Sequence, residues 1–99
     1  MLLALSNRAA ETLQALPRDA TLLTAIRRNL EWIADDPLTR TIAPPPFPHR
    51  QDRLFAEFLV EDGSLQVWGC GCLFVIDGDH LVVTSLQVGP TDPAQRGIP

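Results

Sequence analysis

Residues 43 to 48 read APPPFP, and no other stretch restricts the chain's folding choices as much. Each proline fixes φ and removes a backbone donor, so this run neither continues a helix nor occupies a central strand. It is a stiff extended connector, and it divides the chain into two halves of different character. As a loop it carries the chain from a helical layer to a sheet; as a motif it would dock to a proline-binding partner, and the loop is the simpler reading.

The half before it has helical periodicity. After a short apolar run, Leu2 to Leu5, come Ser6 and Asn7, both good N-cap residues. In RAAETLQAL, Ala9, Ala10, Leu13 and Leu16 recur at helical spacing until Pro17 ends the element. Asp19 or Thr21 then caps a second helix, in which Leu22, Leu23, Ile26, Leu30 and Ile33 form one buried stripe, with Arg27, Arg28 and Glu31 on the wet side. That helix should stop near Asp35, because Pro37 disfavours helical geometry in the residue before it.

The half after the connector has period two. Glu61-Asp62-Gly63-Ser64 and Asp77-Gly78-Asp79 are turn signals between three strand-like runs, which predicts an antiparallel meander. Leu54, Ala56, Phe58 and Val60 share the face that should pack on the helices, with Phe55, Glu57, Leu59 and Glu61 on the other. Helices followed by strands, with a further strand at the N-terminus, argue for an α+β fold of β-α-α-β-β-β order, a two-helix hairpin packed on the antiparallel meander sheet. The expected organisation is a single domain over residues 1–99, with residues 90–99 an irregular tail, since PTDPAQRGIP contains three prolines.

Composition narrows the function classes. Ninety-nine residues bury about two thirds of the unfolded surface, which leaves room for a shallow groove rather than a deep cavity. With 45% hydrophobic and 20% charged residues the chain is globular. It has a net charge of −4, and its eight cations are all arginine, a poor balance for neutralising nucleic-acid phosphates. The opening run is too short for a signal peptide and no segment reaches membrane-spanning length, so a cytosolic (cytoplasmic) location is expected. A structural disulfide is then improbable.

In VWGCGCLFVID, residues 67 to 77, alternation places Trp68, Cys70, Cys72, Phe74 and Ile76 on one apolar face, where the thiols act as small hydrophobes. A zinc site would need two more ligands, and only His49 and His80 exist, so no metal or other cofactor is expected. Gly69 and Gly71 leave a bare strip on the opposite face, a sign of twist, a bulge or another chain lying close. For catalysis, the polar cluster His49, Arg50, Asp52, Arg53 combines a proton carrier with phosphate-stabilising cations; its bland reading is a solvated loop rim. His80 reads as a turn-edge residue and Arg96 as part of the tail.

The segments ALSNRAAETLQALP, AIRRNLEWIADDPL and GCLFVIDGDHLVVTSLQVGP, in this order, resemble the RelE/ParE-like toxin superfamily of bacterial type II toxin-antitoxin systems. Members open with a short strand ending in a small polar residue and an alanine-bearing helix. A second helix closes on an L-A-x-x-P-like end, here WIADDP at 32–37, and a final hairpin reads much like LFVIDGDHLVVTSLQVG. The likeness spans about 85 of the 99 residues. It implies the β-α-α-β-β-β domain and a cognate antitoxin that commonly wraps the toxin with a C-terminal segment. RelE-like members cut mRNA on the ribosome, and ParE-like members poison DNA gyrase without nuclease chemistry.

This chain departs from the nuclease pattern. The family's strand arginine before L-x-x-I-D falls at Cys70 or Gly71, and basic residues of the first meander strand are replaced by Phe55, Glu57 and Leu59. After Gly89, the family's basic segment and terminal tyrosine give way to PTDPAQRGIP. A metal-independent endoribonuclease would therefore depend on His49, Arg50, Arg53 and Arg96 for catalysis. Three expectations stand side by side: a toxin acting through binding to its target, a ribonuclease built on those four residues, and a non-toxic domain that uses the open sheet face to dimerise or hold a partner.

Overall fold

A computed structural model describes residues 1–42 and 53–91. The chain runs β1 (Leu2–Leu5), α1 (Asn7–Ala15), α2 (Ala20–Asp35), α3 (Pro37–Arg40), β2 (Leu54–Glu61), β3 (Val67–Asp77) and β4 (His80–Pro90). It is an α+β domain with one mixed sheet of order β1-β4-β3-β2. The meander β2-β3-β4 is antiparallel as expected, whereas β1 joins β4 in parallel, Leu3 beside Leu81 and Leu5 beside Val83.

Both expected caps form. Ser6 Oγ accepts from Ala9 N at 3.1 Å, and Asp19 Oδ1 accepts from Leu22 N at 3.0 Å, each satisfying an otherwise orphaned helix donor. Asp19 does more than cap: its Oδ2 accepts from Gly63 N at 3.0 Å, tying α2 to the β2–β3 turn. A Cβ at position 63 would stand 3.2 Å from that oxygen, which accounts for glycine there. Asp19→Ala should therefore lower the unfolding free energy by about 1–2 kcal/mol, since a cap and a tertiary hydrogen bond go together. In urea titration Asp19→Asn, which keeps one acceptor, should lose less; equal losses would show that only the charge matters.

One element departs from expectation. The second helix does end at Asp35, but Pro37 opens a further single turn, α3, since proline's missing donor is harmless at the first helical position. The Arg40 guanidinium stacks 3.9 Å from the centre of the exposed Trp32 ring and bonds the Trp32 carbonyl, holding this turn against the end of α2.

The meander holds its shape through its turns. Gly78 has φ +61° at the first of two turn residues, the position that a II′-type hairpin reserves for glycine. In the β2–β3 turn, Asp62 Oδ1 accepts from Ser64 N and Gln66 N while Oδ2 accepts from Trp68 Nε1 at 2.9 Å. The bond from Trp68, then those from the turn amides, hold the Asp62 carboxyl below its ordinary value. A lowered value in the folded state stabilises the turn above pH 3.8 and ceases to do so as the pH falls through it. This bracket holds Leu65 in the left-handed region, φ 65°.

A bulge in β4 separates Leu73↔Ser85 from Phe74↔Val83, leaving Thr84 as the extra residue. The inward positions thereby switch from odd, Leu81 and Val83, to even, Leu86 and Val88, and the strand keeps its apolar side toward the helices. Ser6 secures the spot, with its amide bonded to the Val83 carbonyl at 2.9 Å and its hydroxyl to that of Thr84 at 3.2 Å. Of the tail expected over 90–99, only residues 90 and 91 are described, and both stay attached to β3. Pro90 lies in β4 opposite Trp68, with its missing donor on the side where β1 has already ended, and Thr91 N still reaches Val67 O at 2.9 Å.

The described helices all lie on one face of the sheet. The core joins Leu22, Ile26, Leu30 and Ile33 of α2 to Leu54, Ala56 and Val60 of β2 and to Cys70, Cys72 and Phe74 of β3, so the strand faces are those that alternation predicts. The α1 helix packs chiefly on β4, and α2 on β2 and β1; rather than forming a tight hairpin, each meets the sheet more than the other helix. None of the described helices is long and apolar enough to cross a membrane.

Candidate functional site

Among the described residues, a concave surface lies on each side of the sheet. On the open side, Gly69 and Gly71 of β3 lie in register with Leu59 and Glu57 of β2, and with Gly89 and Gln87 of β4. Three glycines thus make a bare floor, with Gly69 and Gly89 directly opposite each other. Leu59 and Glu57 stand along one side and Gln87 along the other of an open groove of about 780 Å³. Leu59 is 60% exposed and, farther along the same face, Leu73 is 41% exposed. Among the described residues, Glu57 is the one charged residue lining this groove.

The adjacent sheet edge is partly closed. Ile42 exchanges both backbone hydrogen bonds with Phe55, at 2.9 and 2.8 Å, so the β2 groups pointing away from β3 are those of Phe55, Glu57, Leu59 and Glu61. Beyond Phe55 no described strand pairs with this edge, and the glutamates at 57 and 61 discourage another strand from adding to it.

On the helical side, the separation of α1 from α2 opens a second groove, of about 840 Å³. Its apolar lining includes Leu3, Leu5 and Leu13, and Arg18, Arg27 and Arg28 stand on its rim, with Glu31 the one acid among the described residues. Read along the helix, Arg27 and Arg28 are simply the wet face; only the splay of the helices turns that face into the rim of an apolar trough. The sequence carried no signal for this beyond three arginines within eleven positions.

Of the expected catalytic set, Arg53 is exposed immediately before β2. His49, Arg50 and Arg96, with Asp52, lie outside the described residues. His80 stands at the hairpin edge as expected, with Nδ1 2.9 Å from Asp79 Oδ1, both side chains exposed. Among the described residues no buried side-chain nitrogen or oxygen lacks a hydrogen-bond partner, and no three metal-ligating side chains converge. Both grooves have apolar or glycine floors among the described residues.

The thiols belong to the core. Cys70 and Cys72 are 3% and 1% exposed, unpaired with each other, and face the helices with Phe74. Burial pushes Cys70 up to about 11, and burial together with its neighbouring thiol pushes Cys72 up to about 12. Neither is a poised nucleophile. Comparison with family models, curated proteins and solved structures finds no match for this chain.

Proposed function

We propose that this chain is the toxin component of a RelE/ParE-like type II toxin-antitoxin pair, acting by binding a target protein rather than by cutting RNA. The observation that carries the reading is the pair of grooves of opposite charge on opposite sides of one small domain. A neutraliser and a target need separate surfaces, and the helical trough with its three arginines suits an acidic, apolar antitoxin segment. The sheet face is left for the target. Where the resemblance implies a strand arginine, Cys70 and Gly71 stand, and Glu57 lines the groove beside them. A carboxylate there repels a phosphate in flight, so gyrase poisoning fits this chain better than mRNA cleavage.

The test is inducible expression in a bacterial host with and without the neighbouring open reading frame, followed by pulse labelling. Growth arrest relieved by the neighbour is expected, with DNA synthesis falling before protein synthesis. Exchanging Arg18, Arg27 and Arg28 together for glutamate should leave the arrest and abolish the relief. Protein synthesis falling first would return the chemistry to His49, Arg50, Arg53 and Arg96. Absence of arrest at any expression level would leave a non-toxic interaction or dimerisation domain of the same shape.

A further inference from the structure

Glycine inside a strand weakens it, because it gives up more conformational freedom on folding and offers nothing to pack. A chain tolerates that where the backbone needs positive φ or where a neighbour leaves no room for a Cβ. Gly63 and, within β3, Gly69 meet the second condition, a Cβ standing 3.2 Å from Asp19 Oδ2 at the one and 3.3 Å from Thr91 Cγ2 at the other, and Gly78 meets the first. Gly71 and Gly89 meet neither. Both have ordinary extended backbone; a Cβ at 71 would meet only Phe55 Cε2, at 4.0 Å, and a Cβ at 89 would meet no described atom within 4 Å. The β-bulge does not require them either, since it falls at Thr84. Edge protection accounts for Glu57 and Glu61, yet it leaves the bare floor beside them unexplained.

We infer that the glycine floor formed by Gly69, Gly71 and Gly89 is the docking site for a basic, apolar segment of a partner protein, whose backbone lies against the sheet where side chains would keep it away. The sign of the partner's charge follows from the groove's own. Glu57 stands over the floor and Glu61 lies four residues farther along β2, facing the same way, and among the described residues no cation lines the groove. A second copy of the chain would set Glu57 against carboxylates of like sign, and nucleic acid would meet the same repulsion. A segment with Arg or Lys beside small apolar residues satisfies both the carboxylates and Leu59. This inference rests on the partner-binding reading above and supplies the chemistry of the sheet-face partner.

Two measurements on the full-length protein test it together. Fluorescence polarisation compares two synthetic twelve-residue peptides, one alternating Val with Arg and one alternating Val with Glu. Thermal unfolding follows Gly89→Val and the Gly71→Ala/Gly89→Ala double variant. The Val/Arg peptide should bind at least about ten-fold more tightly than Val/Glu. Each glycine variant should weaken that binding about ten-fold or more while raising Tm by a few degrees, because strand propensity improves as the floor is blocked. Glu57→Gln should weaken it about two- to five-fold, less so at high salt.

Equal binding of the two peptides, or variants that bind as the parent does, would overturn the site. A fall in Tm for Gly89→Val would make part of this chain the occupant, and concentration-dependent dimerisation lost in that variant would make it a second copy; either result overturns the inference. Growth arrest does not depend on these peptides. Arrest without peptide discrimination sinks the docking site alone, and discrimination without arrest sinks the toxin reading alone.

Discussion

Phe74→Ala is expected to lower the unfolding free energy by about 3–5 kcal/mol, enough to leave the domain barely folded at room temperature. A chain of 99 residues commonly has a total of roughly 5–15 kcal/mol. The large effect follows from position. Phe74 is 1% exposed, lies in register between Leu54 of β2 and Val83 of β4, and shares the core with Leu22, Ile26 and Leu30 of α2. It also borders the bulge at Thr84, where Ser6 fastens β1 and α1 to the sheet, so the backbone around the cavity is held and collapses poorly. Leu73→Ala is the control. One residue earlier, Leu73 is 41% exposed on the open face, and its loss should cost no more than about 1 kcal/mol. Urea denaturation of both variants reads the faces directly. Similar losses at 73 and 74 would mean that the open face is covered by something as firm as the core.

How much of this was legible in the sequence depends on the range over which each signal acts. The caps at Ser6 and Asp19, the apolar stripe of α2, the Gly78 turn and the alternation of β2 and β3 are local, and each is written within a few residues. The bulge is different. Its trace in β4 is a switch of apolar parity from Leu81 and Val83 to Leu86 and Val88. A strictly alternating reading misses that switch. The parallel pairing of β1 with β4 joins residues nearly eighty positions apart, and no local pattern specifies it. Pro37 illustrates a third case: the rule that stops a helix before proline is correct, yet the same residue suits the first position of a new turn, and only its packing against α2 decides that one forms.

The same distinction applies to function. Gly69 and Gly71 were visible as a bare strip in β3, but Gly89 joins them only through the β3–β4 register, and Arg18 meets Arg27 and Arg28 only because α1 and α2 diverge. Surfaces assembled from separate elements are written in the pairing of strands and the angle of helices, neither of which has a short sequence signature. Candidate chemistry read from residue types alone favoured His49, Arg50, Arg53 and Arg96. Neither groove's lining includes Arg53, the described member of that set.

The two thiols provide the second large effect. Cys70 and Cys72 stand one residue apart on the core face of the central β3 strand, and their ionisation is pushed from 9.0 up to about 11 and about 12 by burial. The thiolate is the reactive form, so at neutral pH the fraction able to react with iodoacetamide falls about 100-fold at Cys70 and about 1,000-fold at Cys72. Lack of access adds to this. In the native state alkylation should therefore proceed only through opening of the sheet, and both sites should react together, at a rate set by unfolding rather than by either thiol. The linkage has a definite sign: a raised value in the folded state means that the neutral thiols stabilise the fold fully below pH 9.0, and that this stability is lost as the pH rises through the folded values. Mass spectrometry after timed alkylation at pH 7.5 in native buffer and in urea measures the protection. Single modification at Cys70 without Cys72, at a rate unchanged by destabilising Phe74, would show a thiol reachable from the folded state. The core assignment of β3 would then fail, and with it the separation of an apolar inner face from the glycine floor outside.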